Sequence, residues 1–204
     1  MSVSTVQTKI TALHELPGER FVELYQTIND CWNKSHSYYM TDERHDRYAS
    51  FETFQSEISR GKADILFDMT HQRIAGSIQY HFTYKGHNSY FGTLCIGSAY
   101  QGKSLAEKLI THVEHQSIMS NCSHIYIWVV SCAEKLQGYY GRLGYRVTGE
   151  KFQRDIRFLQ GVKPEFRHRV DFQEMAKPLL LPSRLVTKSP IPSIAKPTLI
   201  PSRL

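Results

Sequence analysis

After Pro17 and Gly18, the apolar residues Phe21, Leu24, Tyr25, Ile28, Cys31 and Trp32 recur at helical spacing, which predicts an amphipathic helix over residues 19–33. A second helix opens in "SFETFQSEIS", with Ser50 as its N-cap and Phe51, Phe54 and Ile58 along one side. Residues 6–13 read as a weakly marked strand. Between the two helices, "KSHSYYMTDERHDRY" is polar, aromatic and irregular. The default reading is a surface loop, although such segments also border substrate clefts.

From Lys62 the period changes. "ADILFDM" and "RIAGSIQYHFTY" read as strands joined by the short polar "THQ", and "KGHNS" turns the chain into a further strand, "YFGTLCIG", residues 90–97. These make an antiparallel meander. The helix that follows puts Leu105, Leu109, Ile110 and Val113 on one face and Lys103, Glu107, Lys108 and Glu114 elsewhere. "HIYIWVV" is continuously apolar, as a buried strand is. "AEKLQGYYGRLGY" then predicts a helix stopping near Gly144, followed by strands in "YRVTGE" and "VDFQEMAKPL". The order predicts a mixed α/β fold with helices flanking a central sheet.

Composition narrows the function. The 204 residues, 41% hydrophobic, suit one domain with an appendage. No apolar run reaches the roughly 20 residues that cross a bilayer, and the first ten residues carry no apolar signal core. Of the net charge of +6, five charges come from Lys177, Arg184, Lys188, Lys196 and Arg203, with no acidic residue after Ala176. The folded part is nearly neutral and lacks a concentrated basic face, which argues against nucleic acid as a partner. Cys31, Cys95, Cys122 and Cys132 form no C-x-x-C pair and read as free thiols of a reducing, cytoplasmic compartment. His112 and His115 share a helix face but have no third ligand, so no metal is predicted. "AKPLLLPSRL" returns nineteen positions later as "AKPTLIPSRL" in a segment with six of the eight prolines, a flexible or polyproline-like tail.

At the junction of meander and helix stands "YQGKSLAEKLITHVEHQ", residues 100–116. A small-residue turn there leaves the first amides of the helix unpaired at the positive end of its dipole, a setting for an anion; an ordinary strand-to-helix turn has the same composition. Its wider context, "LCIGSAYQGKSLAEKLI", resembles the acyl-CoA pyrophosphate signature of the GNAT acetyltransferase superfamily, a Gln or Arg followed by Gly-x-Gly-x-Gly/Ala. Gln101, Gly102, Lys103, Leu105 and Ala106 fit, while Ser104 stands where the middle glycine is usual. "YYGRLGY", residues 139–145, is similar to the aromatic-Tyr-x-x-Leu-Gly-aromatic segment near that family's C-terminal end. The resemblance makes residues 1–180 the acetyltransferase domain and 181–204 a basic Pro-rich tail.

The resemblance implies a mostly antiparallel sheet with one splayed parallel pair, and acetyl-CoA as the cofactor. Its pantetheine arm would add as a strand along Leu94, Cys95 and Ile96, with the Ile96 N–H as oxyanion donor. The amides of Gln101 to Ala106 would take the pyrophosphate. At Ser104 a Cβ disfavours positive φ and close approach, although the hydroxyl could donate to a phosphate oxygen. Ser131 falls where relatives often carry a cofactor-contacting Asn. Tyr140 matches the family's tyrosine four positions before Gly144, which protonates the departing thiolate.

The implied reaction is direct attack of a primary amine on the thioester in a ternary complex. Many relatives place a Glu in the fourth strand near the position of Tyr90, so that base is missing; His81, His87 or water could replace it. The acceptor is a small amine or a protein amine, and a homodimer is a possible assembly. The alternative is a non-catalytic acyl-CoA-binding sensor or adaptor of the same fold.

Overall fold

The computed structural model describes residues 6–41, 46–83, 87–153 and 161–180. The tail over residues 181–204 lies outside the described residues. Seven strands form one sheet: β1 (Thr8–Ala12), β2 (Lys62–Asp68), β3 (Arg73–Phe82), β4 (Asn88–Ile96), β5 (His124–Val130), β6 (Arg146–Gln153) and β7 (Asp171–Pro178). They lie in the order β1-β2-β3-β4-β5-β7-β6. All neighbours are antiparallel except β4 and β5. The expected mixed α/β sheet is therefore present, with β7 inserted between β5 and β6.

Four helices cover the sheet: α1 (Phe21–His36), α2 (Phe51–Ile58), α3 (Leu105–Met119) and α4 (Glu134–Arg142). On one face, Leu24 and Ile28 of α1 and Phe54 and Ile58 of α2 pack on Ala63, Ile65, Ile74 and Cys95. On the other, Leu109, Ile110 and Val113 of α3 and Tyr140 of α4 pack on Leu66, Ile78, Phe91, Ile125, Ile127 and Met175. Burying each such side chain contributes about 1.5–3 kcal/mol, so the helical stripes read in the sequence fix the helices to the sheet. Ser50 caps α2 as expected, its Oγ accepting from the Thr53 amide at 3.2 Å. Continuous hydrophobicity in β5 also resolves: Ile125, Ile127 and Val129 enter the α3–α4 core, while Trp128 joins a third cluster on the opposite face.

That third cluster corrects the surface-loop reading of the α1–α2 connection. Tyr39 and Met40 are buried in it, Met40 bridges to Val162, and Tyr48 is buried in the α1–α2 core. The Thr41 amide donates to the Gly161 carbonyl at 3.0 Å and the Lys163 amide to that of Tyr39 at 2.9 Å. The connection is thus sewn to the chain ahead of β7, over β5.

The parallel ladder between β4 and β5 is short. It pairs Asn88 with His124, Ser89 with Ile125 and Tyr90 with Tyr126, and then ends. Beyond Tyr90, β4 follows β3 through a bulge opposite Ser77–Gln79, where Thr93 takes φ +46°. One extra residue on β4 kinks it away from β5. A wedge opens between residues 91–96 and 127–130.

Candidate active site

The helix mouth adjoins the end of β4. A 3-10 turn, Ser98–Tyr100, leads from the strand to the exposed residues Gln101 to Ser104 and then to α3. Among the described residues the amides of Gly102 to Glu107 donate to no backbone carbonyl; the first helical bond runs from the Lys108 amide to the Ser104 carbonyl at 3.1 Å. Ser104 is the N-cap residue but makes no side-chain capping bond. The Lys103 ammonium turns back to the Ala99 carbonyl at 3.2 Å, and the Gln101 side-chain amide donates to the Ile96 carbonyl at 3.1 Å. The mouth is therefore left open, with its positive dipole end toward solvent, as anion binding requires.

Ser104 nonetheless holds the left-handed conformation usual for glycine, φ +55° and ψ 19°. Gly102 has φ +75° with nothing within 4 Å of where a Cβ would stand. The loop is anchored from below: the Tyr100 hydroxyl donates to Asp68 Oδ2 at 2.8 Å, and the same oxygen meets His71 Nδ1 at 2.8 Å. Asp68 is fully buried. Burial alone would raise its pKa, but bonds from His71, Tyr100 and the amides of His71 and Thr70 prevail and hold it at about 2.

On the wedge, Leu94 is half-buried, while Cys95 and Ile96 are buried. The Cys95 thiol points into the α1 core, where its Sγ lies 3.9 Å from the Ile28 carbonyl oxygen, and its own carbonyl faces Gly76 of β3. The Gly97 amide donates to the Ala75 carbonyl at 2.9 Å, on the β3 side. By strand alternation the Ile96 N–H points away from β3, and there it meets the Cys31 thiol of α1.

Tyr140 is 3% exposed and packs edge-on against Phe91 of β4, with ring centroids 6.0 Å apart, and against Tyr145 at 5.8 Å. Its hydroxyl bonds to no described residue, yet it is not among the fully enclosed unpartnered atoms, which include Ser77 Oγ, Ser89 Oγ and Trp128 Nε1. Burial pushes the phenol well above its ordinary range, so it stays protonated at neutral pH.

Ser131 is committed to the chain. Its hydroxyl donates to the Arg169 carbonyl and accepts from the Asp171 amide at 3.0 Å, while its own amide donates to Asp171 at 2.8 Å. Its carbonyl takes the Gln137 side-chain amide at 2.7 Å. It joins β5 to β7, with both its donors committed to the chain. The replacement bases separate too. His81 stacks on Tyr90 at 5.3 Å, while the His87 carbonyl accepts from the Ser123 amide at 2.7 Å beyond the closed end of the wedge. His112 pairs with Asp64 at 3.0 Å.

Two residues escaped the sequence reading. Asp68 gave no signal beyond its place at a strand end. Glu174 did give one: in "DFQEM" it shares a strand face with the apolar Phe172, and it is buried.

The acetyltransferase (GNAT) domain family matches residues 33–160 of the chain. A comparison with curated proteins finds no match. Similar solved structures include a Vibrio cholerae spermidine N-acetyltransferase in complex with CoA and spermine, with TM-score 0.63 and 16% identity, covering 85% of this chain and 96% of that one. The Escherichia coli ribosomal-protein-S18-alanine N-acetyltransferase gives TM-score 0.60 and 14% identity over 88% of this chain and 99% of its own. A GNAT-family acetyltransferase from Staphylococcus aureus gives 0.57 and 17% over 84% and 100%. No described helix is long and apolar enough to cross a membrane. With more than half of the chain matched by the family, the chain belongs to the GNAT acetyltransferase family, as an acyl-CoA-dependent N-acetyltransferase.

Proposed function

We propose that this enzyme acetylates a primary amine by direct attack in a ternary complex, with a small amine as acceptor in preference to a protein one. The observation that carries the reading is the convergence of an open helix mouth, an unpaired strand edge and one buried phenol on a single wedge. The amides of Gln101, Gly102, Lys103, Ser104, Leu105 and Ala106 would hold the pyrophosphate of acetyl-CoA. The backbone of Leu94, Cys95 and Ile96 would pair with the amides of its pantetheine arm as an added strand. Bound so, acetyl-CoA supplies an acyl carbon activated toward an amine.

The Ile96 N–H would polarise the acyl oxygen. Tyr140 would hold its proton until the C–S bond breaks and then give it to the sulfur. Ser131 fixes the wall of the cleft by keeping β5 against β7. The near neutrality of the folded part, and the absence of an acidic run to recruit basic protein tails, favour the small acceptor.

The test is thiol release from acetyl-CoA across a panel of primary amines, with calorimetry of CoA binding alongside. Amine-dependent thiol is the expected result. Tight CoA binding without amine-dependent thiol would make the chain a sensor instead, and no CoA binding would remove both readings.

A further inference from the structure

Acetyl transfer leaves the acceptor's proton without a destination. Near neutral pH a primary amine is an ammonium ion, whose nitrogen has no lone pair until a proton departs. Among the described residues the buried carboxylates are Asp64, Asp68 and Glu174. Asp64 and Asp68 belong to β2, two strands from the wedge, and are engaged with His112, and with His71 and Tyr100.

Glu174 is placed otherwise. Its Cα lies opposite Trp128, two residues past Tyr126, where β5 has already parted from β4. Its Oε2 accepts from the Thr148 hydroxyl of β6 at 3.0 Å, and its carboxylate faces the Tyr90 hydroxyl of β4. The Tyr90 ring stacks between His81 at 5.3 Å and Tyr126 at 5.0 Å. An aromatic row therefore crosses β3, β4 and β5 and ends on a carboxylate. With the Tyr90 ring covered on both faces, what the end of the row offers an ammonium ion is the carboxylate itself, which supplies its counter-charge.

We propose that Glu174 receives the acceptor's ammonium group at the end of the aromatic row formed by Tyr90 and Tyr126 and takes its proton. This rests on the acetyl-transfer reading of the same site. One N–H bond of the ammonium breaks and its proton goes to Glu174. The freed electron pair forms the N–C bond to the acyl carbon, and the C–S bond breaks. Sulfur takes its proton from Tyr140, and Tyr140 recovers the second proton lost by nitrogen. Glu174 then releases its proton to solvent, so each turnover yields an amide, a thiol and one proton.

The surroundings suit a base. Burial raises Glu174 above its ordinary range and Glu150 on β6 adds to this, while the Thr148 and Tyr90 hydroxyls oppose it. The other titratable groups facing it, Tyr90 on β4 and Tyr126 on β5, are pushed up by burial and stay neutral. A carboxylate moved toward neutrality accepts a proton more readily than a surface one. The same burial makes the ionised form costly to the fold. A raised folded pKa contributes stability that is lost as pH rises through it, so at neutral pH removing the charge relieves a penalty.

The test is Glu174→Gln, assayed with acetyl-CoA and a panel of primary amines headed by spermidine. The variant should melt no lower than wild type and bind CoA with unchanged affinity. Its kcat/KM for amine should fall about 100-fold or more, and the acidic limb of its pH profile should vanish. Thr148→Val, which deletes a bond that favours the carboxylate, should shift that limb to higher pH while the plateau remains. A purely structural role would move neither limb. A folded Glu174→Gln enzyme with wild-type turnover and an unchanged acidic limb overturns the inference alone. A wild-type chain that releases no thiol with any amine overturns the acetyl-transfer reading, and the inference with it.

Discussion

Tyr90 and Phe91, neighbours on β4, turn to opposite faces of the sheet at the point where β4 leaves β5. The Tyr90 hydroxyl faces Glu174, whereas the Phe91 ring receives the edge of Tyr140. The wedge thus has a carboxylate beside one mouth and a phenol beside the other. An amine entering from one side would meet the carboxylate, and a thiol leaving toward the other would meet the phenol.

Tyr140→Phe keeps the ring contacts with Phe91 and Tyr145 and removes only the hydroxyl. Steady-state kinetics should show kcat reduced by roughly 10² to 10⁴, with KM for acetyl-CoA little changed. Undiminished turnover would take Tyr140 out of the mechanism.

The helix mouth offers a paired test. Ser104 sits at φ +55° and Gly102 at φ +75°. Ser104→Gly should stabilise the chain by about 1 kcal/mol in chemical denaturation, because the left-handed region then carries no Cβ penalty, and CoA should bind at least as well. Gly102→Ala imposes the same penalty where none exists and should weaken both stability and CoA affinity. Opposite signs from the two variants are the expected outcome.

Gly76 is the described glycine with the least room for a Cβ. A Cβ there would stand 2.4 Å from the Cys95 carbonyl oxygen and 2.7 Å from Ile96 Cδ1. Gly76→Ala should therefore push β3 from β4 just where β4 borders the wedge, costing about 1–3 kcal/mol in denaturant titration. CoA affinity should fall with it.

Asp68 sets an acid limit. Its folded pKa of about 2 lies below the ordinary value of 3.8, so its contribution is present above about pH 4 and is lost as pH falls toward 2. The melting temperature should decline through that window in wild type and decline less in Asp68→Asn, which starts lower. Since Asp68 also holds Tyr100, the Asn variant should weaken CoA binding at neutral pH.

Much of this architecture was legible in the chain itself. Local pattern gave the α-helices and strands, most through 3.6- and 2-residue repeats and β5 through its continuous apolar run, because these are local consequences of burial. The small-residue turn before Leu105 gave the helix mouth, since amide donors at a helix start need no distant partner. What the local pattern could not decide was neighbourhood. That β7 enters between β5 and β6, that the β4–β5 ladder stops at Tyr90, and that Tyr39 and Tyr48 are buried all depend on pairings between residues far apart in sequence. At the bulge it is Thr93, and not its neighbour Gly92, that takes the positive φ. That the Ser131 hydroxyl bonds to the Arg169 carbonyl and the Asp171 amide is likewise invisible in the sequence. Glu174 acquires its setting only when β5, β6 and β4 close around it, because burial and charge at a side chain are properties of the packed sheet and not of the strand that carries it.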